Sequence, residues 1–173
     1  MTRKQVGTAI GMAVGLLLTI GAFAWPGGQG APVDRLALWA ACSALAAGWL
    51  AFAVALQARH RFFSPADIDG AGLTVASARA QLLQALVQNT AEQTLLAAFA
   101  YAAWLLATTF SASPVIHCAA LFSLGRLLFF AGYARGAAAR SLGFALTFYP
   151  IVGLLVLSLP RAAATLIGVL GGG

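Results

Sequence analysis

Five long apolar runs divide this chain: Gln5 to Trp25, Leu36 to Gln57, Ala80 to Thr109, Val115 to Tyr133 and Leu142 to Leu159. A helix needs about 20 apolar residues to cross ~30 Å of hydrocarbon, so each run can span a bilayer, the last two near the short limit. Inside lipid the backbone must satisfy its own hydrogen bonds, which leaves only helices and closed barrels. No apolar alternation in units of about ten residues with aromatic girdles is present, so a barrel is excluded. The reading is an all-α integral membrane protein with five crossings. Composition agrees: with 61% apolar and 8% charged residues, the chain has too little polar surface to wet a soluble fold.

Between the runs lie Pro26 to Arg35, Arg59 to Ala78, Phe110 to Pro114 and Ala134 to Ser141, rich in Gly, Pro, Ser and charge. The net charge of +6 does not point to nucleic acid, because the basic residues sit at the ends of apolar runs. Arg3, Lys4, Arg59, Arg61, Arg79, Arg135 and Arg140 fall on one side, and Arg35 and Arg161 on the other. The positive-inside rule then sets the N-terminus in the cytoplasm and the C-terminus outside. Loops rich in Ala, Gly and Arg with almost no Lys suit a high-GC bacterial coding sequence, hence an inner-membrane location. A rival reading of the first run is a cleaved signal peptide, since Arg3-Lys4 precedes it and Ala22-Phe23-Ala24 resembles a cleavage site. The run is about twice the length of a signal-peptide apolar core, which favours a retained helix. Cys42 and Cys118 lie inside apolar runs without metal-ligand spacing, and they read as small buried hydrophobes. His117 likewise lacks the further ligands a metal would need.

The third run carries Gln81, Gln84, Gln88, Asn89, Glu92 and Gln93 among Ala, Leu and Val. At ~100° per residue, Gln81, Gln84, Gln88 and Glu92 fall within about 80° of one another, with Asn89 at the flank. Amides of this kind hydrogen-bond across helix interfaces for about 0.6 kcal/mol each, so the glutamines can serve as helix glue. A carboxylate at mid-bilayer costs ~2.5 to 3.5 kcal/mol, which makes Glu92 a site candidate facing a partner or a wet cavity. Arg126, halfway along the fourth run, is the cation expected to pair with it, either as a structural ion pair or within a site. Phe129, Tyr133 and Arg140 share a face with Arg126 if one helix continues that far, whereas Arg135 points the other way and reads as a snorkelling interface residue. Arg59-His60-Arg61-Phe62-Phe63 places a basic cluster and two aromatics at headgroup level, suited to an anionic lipid or substrate.

Gln88-Asn89-Thr90-Ala91-Glu92, followed by Gly125-Arg126 through Gly132-Tyr133-Ala134-Arg135-Gly136 and by Arg140-Ser141-Leu142-Gly143-Phe144, resembles the MAPEG family, the membrane-associated proteins of eicosanoid and glutathione metabolism. The resemblance covers Leu36 to the C-terminus. It implies a four-helix bundle, residues 31–173, preceded by an added transmembrane helix and loop, residues 1–30. It further implies a homotrimer that holds glutathione as co-substrate between subunits and acts on a lipophilic small molecule from the surrounding lipid. Residue by residue, Arg59, Asn89, Glu92 and Tyr133 resemble the family's glutathione-binding positions, and Arg140 the arginine that stabilises the thiolate.

Three positions depart from the family pattern: Ala85 where glutathione-binding members carry arginine, Gln93 where tyrosine is frequent, and Phe129 where some members have tyrosine. Losing an arginine-to-carboxylate hydrogen bond costs ~1.5 to 3 kcal/mol, tenfold or more in affinity. Three classes of function follow. The first is a glutathione transferase or peroxidase. The second is a non-enzymatic membrane module that binds lipid or serves as a subunit of a larger complex, and the third is an ion or proton pathway along the polar stripe.

Overall fold

The computed structural model describes residues 2–25, 34–70, 73 and 75–171; most of the expected connection from Pro26 to Arg35 lies outside them. Five α-helices form: α1 (Arg3–Ala24), α2 (Arg35–Phe63), α3 (Ala78–Ala107), α4 (Ser113–Gly132) and α5 (Ala137–Gly171). Local chemistry sets their starts. Thr2 and Gln5 close a capping box on α1, the Asp34 carboxylate accepts from Leu36 and Ala37 N–H, the Ser77 hydroxyl accepts from Ala80 N–H, and Pro114 opens α4.

Four of the helices, α1, α2, α4 and α5, are long and apolar enough to cross a membrane. α3 has the length, but its glutamines and Glu92 lower its apolarity. Its path is nevertheless fixed by its neighbours. Arg35 reaches Leu105 and Thr108, Trp39 bonds Ala98, Thr94 bonds Ala46, and Gln57 bonds Gln84, so α3 runs antiparallel to α2 along the full bundle.

α1 lies against α5 with small residues at the seam. A Cβ on Gly7 would meet Ala138, one on Gly11 would meet Ser141, one on Gly15 would meet Ala145, and Phe23 covers Gly153. The two numberings rise together, so α1 and α5 are parallel. Three traverses of the bundle must therefore lie between them, α3 included. In lipid there is little hydrophobic force between helices, and close backbone approach through small residues supplies van der Waals contact instead. The glycines at positions 7, 11 and 15, four apart, are what permit that approach.

Several helix ends differ from the sequence reading. α2 runs past Gln57 to Phe63, with His60 and Arg61 in a last turn where cations favour the helix dipole. α5 continues beyond Leu159, because Pro160 removes one backbone donor without stopping the Ala-rich stretch after it, and it reaches Gly171. The connection expected from Ala134 to Ser141 is far shorter: Tyr133–Arg135 form a 3-10 turn, and Gly136, at φ 96°, ends it. That left-handed value suits glycine, which has no Cβ to clash.

The half of the core away from the basic cluster packs Tyr101, Trp104, Leu105, Val115, Phe122, Ile151 and Leu154, together with the free thiols of Cys42 and Cys118. At that end Arg35 donates to the carbonyls of Leu105, Thr108 and Phe110, capping the end of α3, and Arg161 lies over the Phe110 ring. The opposite end gathers Arg59, Arg61, Arg79, Arg135 and Arg140. There Leu83, Leu86 and Phe129 form a second core, flanked by Leu56, Tyr133 and Phe144.

Candidate functional site

Arg126 is fully buried, at 0% exposure, in the middle of the helical bundle. Its Nη1 donates to Asn89 Oδ1 at 3.0 Å and its Nη2 to the Thr147 hydroxyl at 2.6 Å. That hydroxyl in turn donates to the Phe144 carbonyl at 2.8 Å, so it accepts from the guanidinium and passes its own proton to the α5 backbone. The guanidinium lies 4.5 Å from the Phe129 ring centre and 5.6 Å from that of Phe122, while its Nε–H is buried without an acceptor among the described residues. Cation–π attraction of this sort is worth ~2 kcal/mol or more once water is excluded.

The expected Glu92–Arg126 ion pair is not formed within the chain. Among the described residues the one ion pair is His60 with Asp67. Asn89 and Glu92 lie three positions apart on α3, about 60° around the helix. α4 approaches on the side of Leu83, Leu86 and Asn89, whereas Glu92 is exposed on the outward face and accepts from Gln88 Nε2 at 3.2 Å. Gln81 and Gln84 are exposed on that face too, continued by Leu95 and Phe99.

From Arg126 the ring contacts run toward the basic end. Phe129 meets Tyr133 edge-on at 5.1 Å, and the Arg140 guanidinium covers the Tyr133 ring at 4.5 Å. The juxtaposition of Arg126, Phe129, Tyr133 and Arg140 therefore forms, although the single continuous helix from which it was expected does not. α4 ends at Gly132, and the turn at Gly136 folds α5 back so that Arg140 returns over Tyr133. Glycines make the return possible: a Cβ on Gly132 would collide with the Ala139 carbonyl, and one on Gly143 with the Phe129 backbone. Arg135 is exposed and donates to the Ala131 carbonyl at 2.9 Å.

Arg59 is exposed and borders a separate recess with Leu56, His60, Phe63, Ser64, Pro65, Arg79 and Leu83. His60, within the basic cluster of the sequence, is tied to Asp67 at 2.9 Å. Asp67 is only 2% exposed, and it also accepts from the Ser77 N–H at 2.8 Å, the Ser77 hydroxyl at 2.7 Å and the Ser64 hydroxyl at 2.9 Å. The Ser77 N–H and hydroxyl, with lesser help from Ser64 and His60, hold its carboxyl well below the usual carboxylate range. Neither this knot nor Thr147 was found by sequence reasoning. The Gly143-x-x-x-Thr147 spacing on α5 was a usable signal for Thr147, since small residues four apart mark close helix contacts.

A helical membrane bundle with a buried arginine and an aromatic ladder leading to a second arginine is thus defined by fold and site together. The MAPEG family model matches residues 36–160, and the chain belongs to that family. α1 precedes the matched region. Neither curated proteins nor solved structures provide a match.

Proposed function

We propose that this MAPEG-family membrane protein is a glutathione-dependent transferase or peroxidase that presents glutathione as a thiolate to lipophilic electrophiles. Arg140 carries the reading. Its guanidinium is half-buried over the Tyr133 ring, at the basic end of the bundle, and no carboxylate neutralises it among the described residues. A free thiol has a pKa of about 8.5, and an adjacent fixed cation favours the thiolate, which is the nucleophile. In transfer, that sulfur bonds to an electrophilic carbon and the leaving group departs with its electron pair. Arg59, Asn89, Glu92 and Tyr133 position the tripeptide.

The site lies between protomers of a homotrimer in this reading. What supports it is the outward face of α3, where Glu92 and Gln81, Gln84 and Gln88 stand exposed on a single chain. A carboxylate left facing acyl chains costs ~2.5 to 3.5 kcal/mol, and a second copy of the chain removes that cost. The Asn89–Arg126 bond favours a second reading, a non-enzymatic membrane module, because it commits the Asn89 carbonyl to structure.

Thiolate ultraviolet absorbance on adding millimolar glutathione to the purified protein separates the two. The enzyme reading expects a signal in the wild type that Arg140→Ala abolishes. A wild type without that signal overturns it.

A further inference from the structure

We propose that Arg61, reaching over the recess that Ala85 leaves open on α3, is the cation that receives a carboxylate of the ligand. The recess measures about 220 Å³ and is bordered by Arg61, Gly70, Gln81, Gln84, Ala85 and Gln88. Pockets that enclose a whole drug-sized ligand run to about 300 to 1,000 Å³, so this one takes an end of a molecule. Its lining is largely apolar, and the Arg61 guanidinium on one side faces three carboxamides along the other.

Arg61 leaves the last turn of α2 and bends toward α3, where its Nη2 lies 3.5 Å from Gln84 Oε1, at the outer limit of a hydrogen bond. One carboxylate, Asp67, also borders the recess. Both of its oxygens are already engaged, by Ser77, Ser64 and His60, and it makes no ion pair with Arg61. Among the described residues that long contact through Nη2 is the one hydrogen bond the Arg61 side chain makes, so most of its fork is left for a planar two-oxygen acceptor, the geometry a guanidinium matches best. Ala85 contributes no side chain beyond its methyl, which leaves the space into which such a group fits.

The recess leads toward the proposed glutathione site. Gln88 borders it and donates to Glu92 at 3.2 Å. Ala85 and Glu92 are seven residues apart on one face of α3, about 10 Å along the helix. This inference rests on the glutathione reading, because it assigns one of that ligand's two carboxylates to Arg61.

Calorimetric titration of the purified full-length protein tests it, with three probes: glutathione, its glycine ethyl ester, and the analogue without the glutamyl α-carboxylate. Arg61→Ala is expected to weaken glutathione binding about tenfold or more, with Arg61→Lys between the two. One of the two analogues should bind the wild type as weakly as glutathione binds Arg61→Ala, and that variant should not distinguish the same analogue from glutathione. Equal glutathione affinity in the wild type and Arg61→Ala overturns the role of Arg61 and leaves the glutathione reading standing. Weaker binding with the wild-type preference among the three probes also overturns it, since Arg61 then acts only through the fold. A wild type that binds no glutathione removes both.

Discussion

Arg126 is held by Asn89, at 3.0 Å, and not by the carboxylate one turn further along α3. A buried cation with neutral partners depends on each of them, because removing one leaves charge without compensation. Asn89→Ala is expected to destabilise the bundle by about 1.5 to 3 kcal/mol in a reversible unfolding titration. Combined with Arg126→Met, the loss should be smaller than the sum of the two single losses, since the methionine leaves no charge to strand. Strict additivity would show that the contact carries no coupling.

The seam between α1 and α5 makes a contrast between glycines on one helix. Gly15→Leu places a side chain into Ala145, whereas a Cβ on Gly21 would meet none of the described residues of another element within 4 Å. Overpacking a tight contact costs about 1 to 3 kcal/mol, so Gly15→Leu should lower the unfolding midpoint and Gly21→Leu should not. A cysteine cross-link between the starts of α1 and α5 should weaken in parallel. If both leucine variants melt together, the close approach has no energetic weight.

Asp67 gives the α2–α3 connection an acid limit. A carboxyl lowered by folding binds fewer protons folded than unfolded, so its stabilising effect is complete above the ordinary value of about 3.9 and fades as pH falls from there toward the depressed folded value. Hydrogen exchange of the Ser77 amide should stay slow at pH 5 and quicken, relative to the intrinsic rate, below about pH 4. In Asp67→Asn that step should be missing. Constant protection from pH 6 to pH 3 in the wild type would contradict the assignment.

Tyr133 serves Arg140 through its ring. Tyr133→Phe keeps the stacking surface, whereas Tyr133→Ala removes a cation–π contact of about 0.5 to 2 kcal/mol and the shelf against Phe129. On the glutathione reading, the phenylalanine variant retains the thiolate absorbance and the alanine variant loses most of it. Loss in both would move the role to the hydroxyl.

The length and apolarity of the runs, the clustering of basic residues at one end, and the motif from Gly125 to Gly136 could be read directly from the residues. These are local properties, and lipid enforces them whatever the helices later touch. The glycines at 7, 11 and 15 stand four apart in the sequence but were not singled out from it, because nothing in α1 says which helix they meet. The partner of Arg126 was not legible. Asn89 and Glu92 differ by about 60° on α3, less than a long side chain can sweep, so sequence spacing cannot choose between them.

Charge and apolarity along the chain decided that it is a helical membrane protein with a cationic end, because each of those properties acts on a segment alone. Only the packed bundle decided that Arg126 goes to Asn89 and Thr147, that Arg140 returns over Tyr133 after a three-residue turn, and that Asp67 closes the α2–α3 connection. Each of those contacts joins residues on different elements, and the approach of one helix to another is set by which backbones can come close.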